Sequence, residues 1–82
     1  MSRTRTTFGD LLALDQDARR EWLRAWMARH GLETANQAAP YLCVTRTTME
    51  RMVYDQARRS AVTDQTLKIA WMIDRYGLQT SA

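Results

Sequence analysis

Arginine is the residue type with the clearest chemical use in this sequence. Eleven of its 12 cationic residues are arginine, and only Lys68 is lysine. A guanidinium group donates paired hydrogen bonds that match a phosphate group or the edge of guanine, although a GC-rich coding sequence would give the same preference. The excess positive charge lies in the first seven residues and between Arg46 and Arg59. This placement indicates a polyanionic partner better than the net charge of +3 does.

The arginines in the second of these regions require helices to position them. We predict a helix that starts at Thr45, whose hydroxyl accepts from the first open backbone N–H groups. Its first turn then exposes Arg46, Thr47 and Thr48. Its apolar residues Met49, Met52 and Val53, at helical spacing, face inward. A preceding helix is predicted to start near Thr34, because Thr34 and Gln37 have the spacing of a capping box.

The 20 residues from Ala35 to Tyr54, ANQAAPYLCVTRTTMERMVY, resemble the helix-turn-helix unit of bacterial, plasmid and phage repressors. Ala39 lies where the two helices cross, a position that requires a small side chain. The overall layout is similar to that of small dimeric repressors of plasmids and phages, such as Kor-type plasmid regulators and anti-CRISPR-associated autoregulators. The residues that face the shared core of such a unit are Ala38, Leu42, Val44, Met49 and Met52.

The resemblance implies contacts with double-stranded DNA. Arg46 is the first choice for a paired hydrogen bond to guanine, and Thr47 or Thr48 for a thymine methyl group. Glu50 either accepts from a cytosine amino group or only orients a neighbouring arginine. The predicted base contacts are Thr45, Arg46, Thr47, Thr48, Glu50 and Arg51. The predicted phosphate contacts are Asn36, Gln37, Tyr54, Arg58, Arg59, Arg3 and Arg5.

Some of the phosphate contacts have a simpler interpretation. Arg58 and Arg59 lie in a basic loop that solvent alone can surround. Arg3 and Arg5 belong to a basic arm over residues 1–7, which either follows a minor groove or is a disordered terminus.

Two residues depart from the helix-turn-helix pattern. Cys43 occupies the position that usually holds a glycine with positive φ, and we expect it to be buried in the turn. Pro40 would be the sixth residue of a helix that starts at Thr34, where proline removes a hydrogen bond. We therefore expect this helix either to begin later, near Asn36, or to kink.

The rest of the chain predicts a single all-α domain over residues 1–82, with four to five short helices. A short helix is expected over Phe8 to Leu14, followed by a longer one from Asp15 or Asp17 to His30, closed by Gly31. We expect a solvated arginine face on the longer helix, formed by Arg19, Arg20, Arg24 and Arg29.

The last predicted helix, over residues 63–76, is apolar around most of its circumference. A single core-facing stripe needs less apolar surface than that. We therefore predict that this helix forms a homodimer. The predicted dimer contacts are Leu67, Ala70, Trp71 and Asp74.

Composition excludes several classes of protein. The longest apolar runs are too short to span a membrane, and no signal peptide is recognisable. One cysteine and one histidine provide neither an internal disulfide nor a zinc site. No catalytic motif is present, so we expect no enzyme activity and no metal, cofactor or small-molecule ligand. Without a membrane span or signal peptide, we expect a cytoplasmic location.

The sequence thus predicts a homodimeric repressor on a palindromic DNA site. It does not separate repression from activation or from non-specific DNA coating. An antitoxin or adaptor that binds another protein through the same fold is the other alternative.

Overall fold

The computed structural model describes residues 7–54 and 57–76, and within those ranges the chain is all-α, as predicted. No strand occurs in these two ranges, and none of their helices is both long and apolar enough to cross a membrane. The α-helices are α1 (Phe8–Leu12), α2 (Gln16–Arg29), α3 (Ala35–Ala38), α4 (Arg46–Val53) and α5 (Asp64–Tyr76), with a 3₁₀ helix (Ala39–Leu42) between α3 and α4.

The first two helices begin at side-chain caps. The hydroxyl of Thr7 accepts from the N–H of Asp10, and the Asp10 carboxylate accepts from the N–H of Thr7, both at 3.1 Å. Thr7 therefore caps α1, although it was predicted to belong to the arm. Asp15 caps α2 by accepting from the N–H of Ala18 at 2.8 Å. Helix α2 ends at Arg29, one residue before the predicted end, with His30 as its C-cap; Gly31 follows with φ 69°, as predicted.

One core holds the helices together. Helix α5 packs against α1, α2 and the 3₁₀ helix, and α4 packs against α2 and α3. Trp26 of α2 is fully buried at the centre, and burial of such side chains is the main driving force for folding. The other fully or almost fully buried large side chains are Leu11, Leu23, Leu42, Met49, Met52, Val53, Val62 and Leu67.

Pro40 is accommodated by a change of helix type. The capping box at Thr34 and Gln37 forms, so α3 begins where the spacing predicted and not late, near Asn36. The α-helix ends at Ala38, and a 3₁₀ helix with Pro40 in its first turn continues to Leu42. The missing N–H of proline has little cost in the first turn of a helical segment. The helix therefore does not begin late, and it changes from α to 3₁₀ ahead of Pro40.

Cys43 ends the 3₁₀ helix in a left-handed conformation, with φ 59° and ψ 38°. This is the conformation expected where the resembling repressors have glycine. The side chain of Cys43 is exposed, so the prediction that it is buried in the turn was wrong. Leu42 directly before it is buried, and the left-handed turn at Cys43 comes where the chain leaves the core.

Replacing Cys43 by glycine is expected to stabilise the fold by about 1 kcal/mol, because glycine adopts positive φ without steric cost. Gly31→Ala is the matched control with the opposite sign. A Cβ at Gly31 meets nothing within 4 Å, so only the strain at φ +69° opposes it, and the loss should be about 1 kcal/mol. Urea unfolding followed by tryptophan fluorescence measures both. Destabilisation by Cys43→Gly would contradict the left-handed turn.

The arginine face predicted for α2 is only partly solvated. Arg19 is buried, and its guanidinium group donates to the carbonyl oxygens of Leu12 (2.9 Å), Leu14 (3.1 Å) and Val62 (2.8 Å). Arg19 also pairs with Asp64 at 3.0 Å. The prediction that solvent surrounds Arg19 was therefore wrong. A buried cation is tolerated when oxygen atoms surround it, as they do here.

The predicted dimer contacts on α5 also need correction. Leu67 and Ala70 are fully buried in the core of one chain, so they are not available to a second copy. The carboxylate of Asp74 contacts Arg29 and His30 of α2, each at 3.2 Å. Trp71 is half-buried, and its ring packs against Phe8 with centroids 5.9 Å apart. The apolar part of α5 that remains open includes Met72 and Tyr76, which are both exposed.

Candidate nucleic-acid interface

The N-terminus of α4 is organised by two threonines. The hydroxyl oxygen of Thr45 accepts from the N–H of Thr48 at 3.1 Å. The same hydroxyl group donates to the Thr48 hydroxyl oxygen at 3.0 Å. Thr48 is half-buried. Both residues were predicted to contact bases, and the structure employs their hydroxyl groups in the cap that starts α4.

The inner side of α4 is anchored in the core. Met49, Met52 and Val53 are buried, as predicted. At the C-terminal end, the Arg24 Nε–H donates to the Val53 carbonyl oxygen at 2.7 Å. The N–H of Ser60 donates to the Arg51 carbonyl oxygen at 3.0 Å. Since both ends of α4 are capped, its outer side chains have a defined position relative to the rest of the fold.

The outer side of α4 presents arginine, threonine and glutamate together. Arg46 is 64% exposed, and Thr47 and Glu50 are also exposed. The Arg46 Nε lies 3.8 Å from the Glu50 carboxylate, beyond hydrogen-bond distance. An exposed pair at this separation contributes little stability, so Arg46 can exchange Glu50 for another acceptor at small cost. Arg51 is half-buried and lies five residues after Arg46 on the same helix.

The predicted phosphate contacts before the turn are on the surface. Asn36 and Gln37 of α3 are exposed. The side-chain oxygen of Gln37 accepts from the N–H groups of Glu33 (2.7 Å) and Thr34 (3.3 Å), which orients this side chain.

Tyr54 is exposed at the C-terminal end of α4. It lies on an open cleft of about 400 Å³ whose lining includes Arg24, Met27 and Leu32. The Tyr54 side chain is therefore accessible from solvent on that side.

The arginines that follow α4 were predicted either to contact phosphate or to be surrounded by solvent alone. Arg58 and Arg59 are both exposed. The Arg59 guanidinium lies 3.3 Å from the Asp17 carboxylate of α2, which also lies 3.2 Å from Arg20. Asp17 was interpreted only as part of the helix start. Arg59 and Asp17 are 42 positions apart, so no local pattern indicates their contact. Arg3 and Arg5 lie outside the described residues.

The surface around α4 carries more positive than negative side chains. From Arg46 to Arg59 the sequence contains four arginines and two acids, Glu50 on the outer side of α4 and Asp55, which lies outside the described residues. In the part of the chain that the structure describes, no group of three or more His, Cys, Asp or Glu side chains is placed to hold a metal ion. The arrangement is suited to hydrogen bonding with a polyanion.

Comparison of this chain with protein-family models, with curated proteins and with solved structures finds no match.

Proposed function

We propose that this protein binds specific double-stranded DNA through α4 and represses transcription by occupying a promoter. The observation that carries the proposal is the first turn of α4. Arg46 and Thr47 are exposed side by side on a helix whose opposite side is buried in the core. A side chain that specifies a base must reach the major groove from a firmly held helix, and the exposure of Arg46 at the start of the anchored α4 supports this role.

The segment before α4 supports the same proposal. Helix α3 and the 3₁₀ helix lead into a tight turn at Cys43, after which Thr45 starts α4. In the helix-turn-helix motif, the first helix contacts the backbone while the second enters the groove. Asn36 and Gln37 are exposed on the first of these segments, where they can donate to phosphate oxygens.

A homodimer accounts for the open apolar surface of α5. Ile69, Met72, Ile73 and Tyr76 occupy positions i, i+3, i+4 and i+7, so they form one stripe along the helix. Met72 and Tyr76 are exposed, and the two isoleucines are half-buried. Pairing of this stripe with a second copy would place two α4 helices on one DNA duplex. In a dimer of this type the half-sites are about 34 Å apart, one turn of DNA.

Selection of duplexes from a random DNA pool tests the proposal. The purified protein at physiological salt is expected to recover a palindrome with half-sites about one helical turn apart. Light scattering on the complex should then give two chains per duplex. Recovery of duplexes without a shared motif would contradict sequence-specific repression. A motif without symmetry, bound by one chain, would contradict the homodimer alone.

A further inference from the structure

The contact between Asp17 and Arg59 joins two parts of the molecule that are distant in sequence. Asp17 lies in the first turn of α2, and its side chain is 82% exposed. Arg59 lies in the segment between α4 and α5, and its side chain is 45% exposed. The pair is therefore in contact with solvent and is easily exchanged.

Arg20 is the second partner of the same carboxylate. Its Nη1 lies 3.2 Å from the Asp17 Oδ1 atom that also contacts Arg59. Only 12% of the Arg20 side chain is exposed, so Arg20 is held in place and cannot extend far into solvent. If Arg59 left, Asp17 would still have a cationic partner. The cost of releasing Arg59 is small for this reason.

The pair also lies close to the proposed DNA-binding helix. The N–H of Ser60, next to Arg59, donates to the carbonyl oxygen of Arg51 in α4. This hydrogen bond fixes the start of the Arg59 side chain beside the last turn of α4. Phosphate groups flank the bases that such a helix reads, and arginine is a common contact for them.

We propose that the Asp17 carboxylate competes with a DNA phosphate group for the guanidinium of Arg59. On DNA binding, the Arg59 guanidinium exchanges the Asp17 carboxylate for a phosphate oxygen, while Arg20 continues to neutralise Asp17. This inference rests on the proposed DNA-binding function and adds a specific regulator of its affinity. It assigns to α2 an effect on binding even though α2 does not enter the groove.

Asp17→Asn is the direct test, with Glu21→Gln as its matched control. Glu21 is also an exposed acid on α2 and also pairs with an arginine three residues later, Arg24, at 3.4 Å. Asp17→Asn should raise the affinity for a random-sequence duplex at low salt by about two- to fivefold, the equivalent of one exposed ion pair that no longer has to break. Glu21→Gln should change it by less than about twofold. Equal effects of the two variants would overturn the proposal.

The Arg59→Gln background separates a specific contact from a general charge effect. In that background, Asp17→Asn should lose its advantage, because the arginine through which it acts is absent. Arg59→Gln alone should also make log K less steep in log salt by about 0.9 per chain, the value for one phosphate contact. Persistence of the full Asp17→Asn effect without Arg59 would overturn the proposal.

A titration with inorganic phosphate keeps the test independent of DNA binding. The Nε–H resonance of Arg59 should shift at lower phosphate concentration in Asp17→Asn than in the unmodified protein. In Glu21→Gln it should shift at the same concentration as in the unmodified protein. The same titration curve in all three proteins would overturn the exchange. A protein that binds phosphate in this way but no duplex would contradict only the proposed DNA-binding function. Circular dichroism before each experiment verifies that the variants fold.

Discussion

Replacing Arg19 by methionine is expected to lower the free energy of unfolding by about 3–5 kcal/mol, most of the stability of a domain of this size. Only 11% of the Arg19 side chain is exposed, so methionine retains much of its packing but no hydrogen bonds. The carbonyl oxygens of Leu12, Leu14 and Val62 would lose a charged donor. The Val62 oxygen would keep a longer bond from Gln16 Nε2 at 3.3 Å, so most of the cost is expected from the partly buried oxygens of Leu12 and Leu14.

Urea unfolding followed by tryptophan fluorescence measures this loss, with Arg29→Met as the control. Arg29 lies on the same helix, but 43% of its side chain is exposed and it pairs with Asp74 on the surface. Its replacement should cost about 1 kcal/mol or less. If Arg19→Met does not fold, Arg19→Lys keeps the charge but not the three-way geometry, and it should fall between the two. Equal midpoints for the Arg19 and Arg29 variants would show that the buried network does not stabilise the fold.

Arg46→Ala is expected to weaken binding to the selected DNA site by about 1–3 kcal/mol per half-site and to relax selection at one base pair. Arg46 is the first residue of α4 and is exposed, so its removal should leave stability almost unchanged. The expected effect on binding is large because the proposed paired hydrogen bond from Arg46 to one base would be lost.

Binding to the selected duplex and to a scrambled duplex distinguishes a base contact from a phosphate contact. Arg46→Ala should lose more affinity for the selected duplex than for the scrambled one. Lys68→Ala removes the same charge from an exposed position on α5 and should affect both duplexes equally and weakly. An equal loss on both duplexes for Arg46→Ala would mean that Arg46 contacts phosphate and that another residue reads the bases.

The two predictions concern different uses of the same residue type. Arg19 lies among carbonyl oxygens from two other segments of the chain, and Arg46 lies on the open side of a capped helix. Each shares its helix with at least one other arginine, so composition does not distinguish them. The distinction comes from what the rest of the fold brings within hydrogen-bond distance.

Local features of the chain determined the helices and their ends. The caps at Thr34 and Thr45 form where they were predicted, Asp15 is one of the two starts expected for α2, and Gly31 follows the end of α2 with positive φ. The inward side of α4 also follows its periodicity. These features depend on contacts within about four residues, for which the sequence contains all the information.

Only the tertiary structure decided which side of each helix is covered. Helix α5 is apolar around most of its circumference, so its sequence allowed Leu67 and Ala70 to face a second copy, whereas packing buries them in one chain. Arg19 donates to Val62, which is 43 positions away in the sequence. Arg59 donates to Asp17, which is 42 positions away. Such contacts depend on how all helices pack around Trp26. Helical periodicity identifies an apolar face but carries no information about its partner.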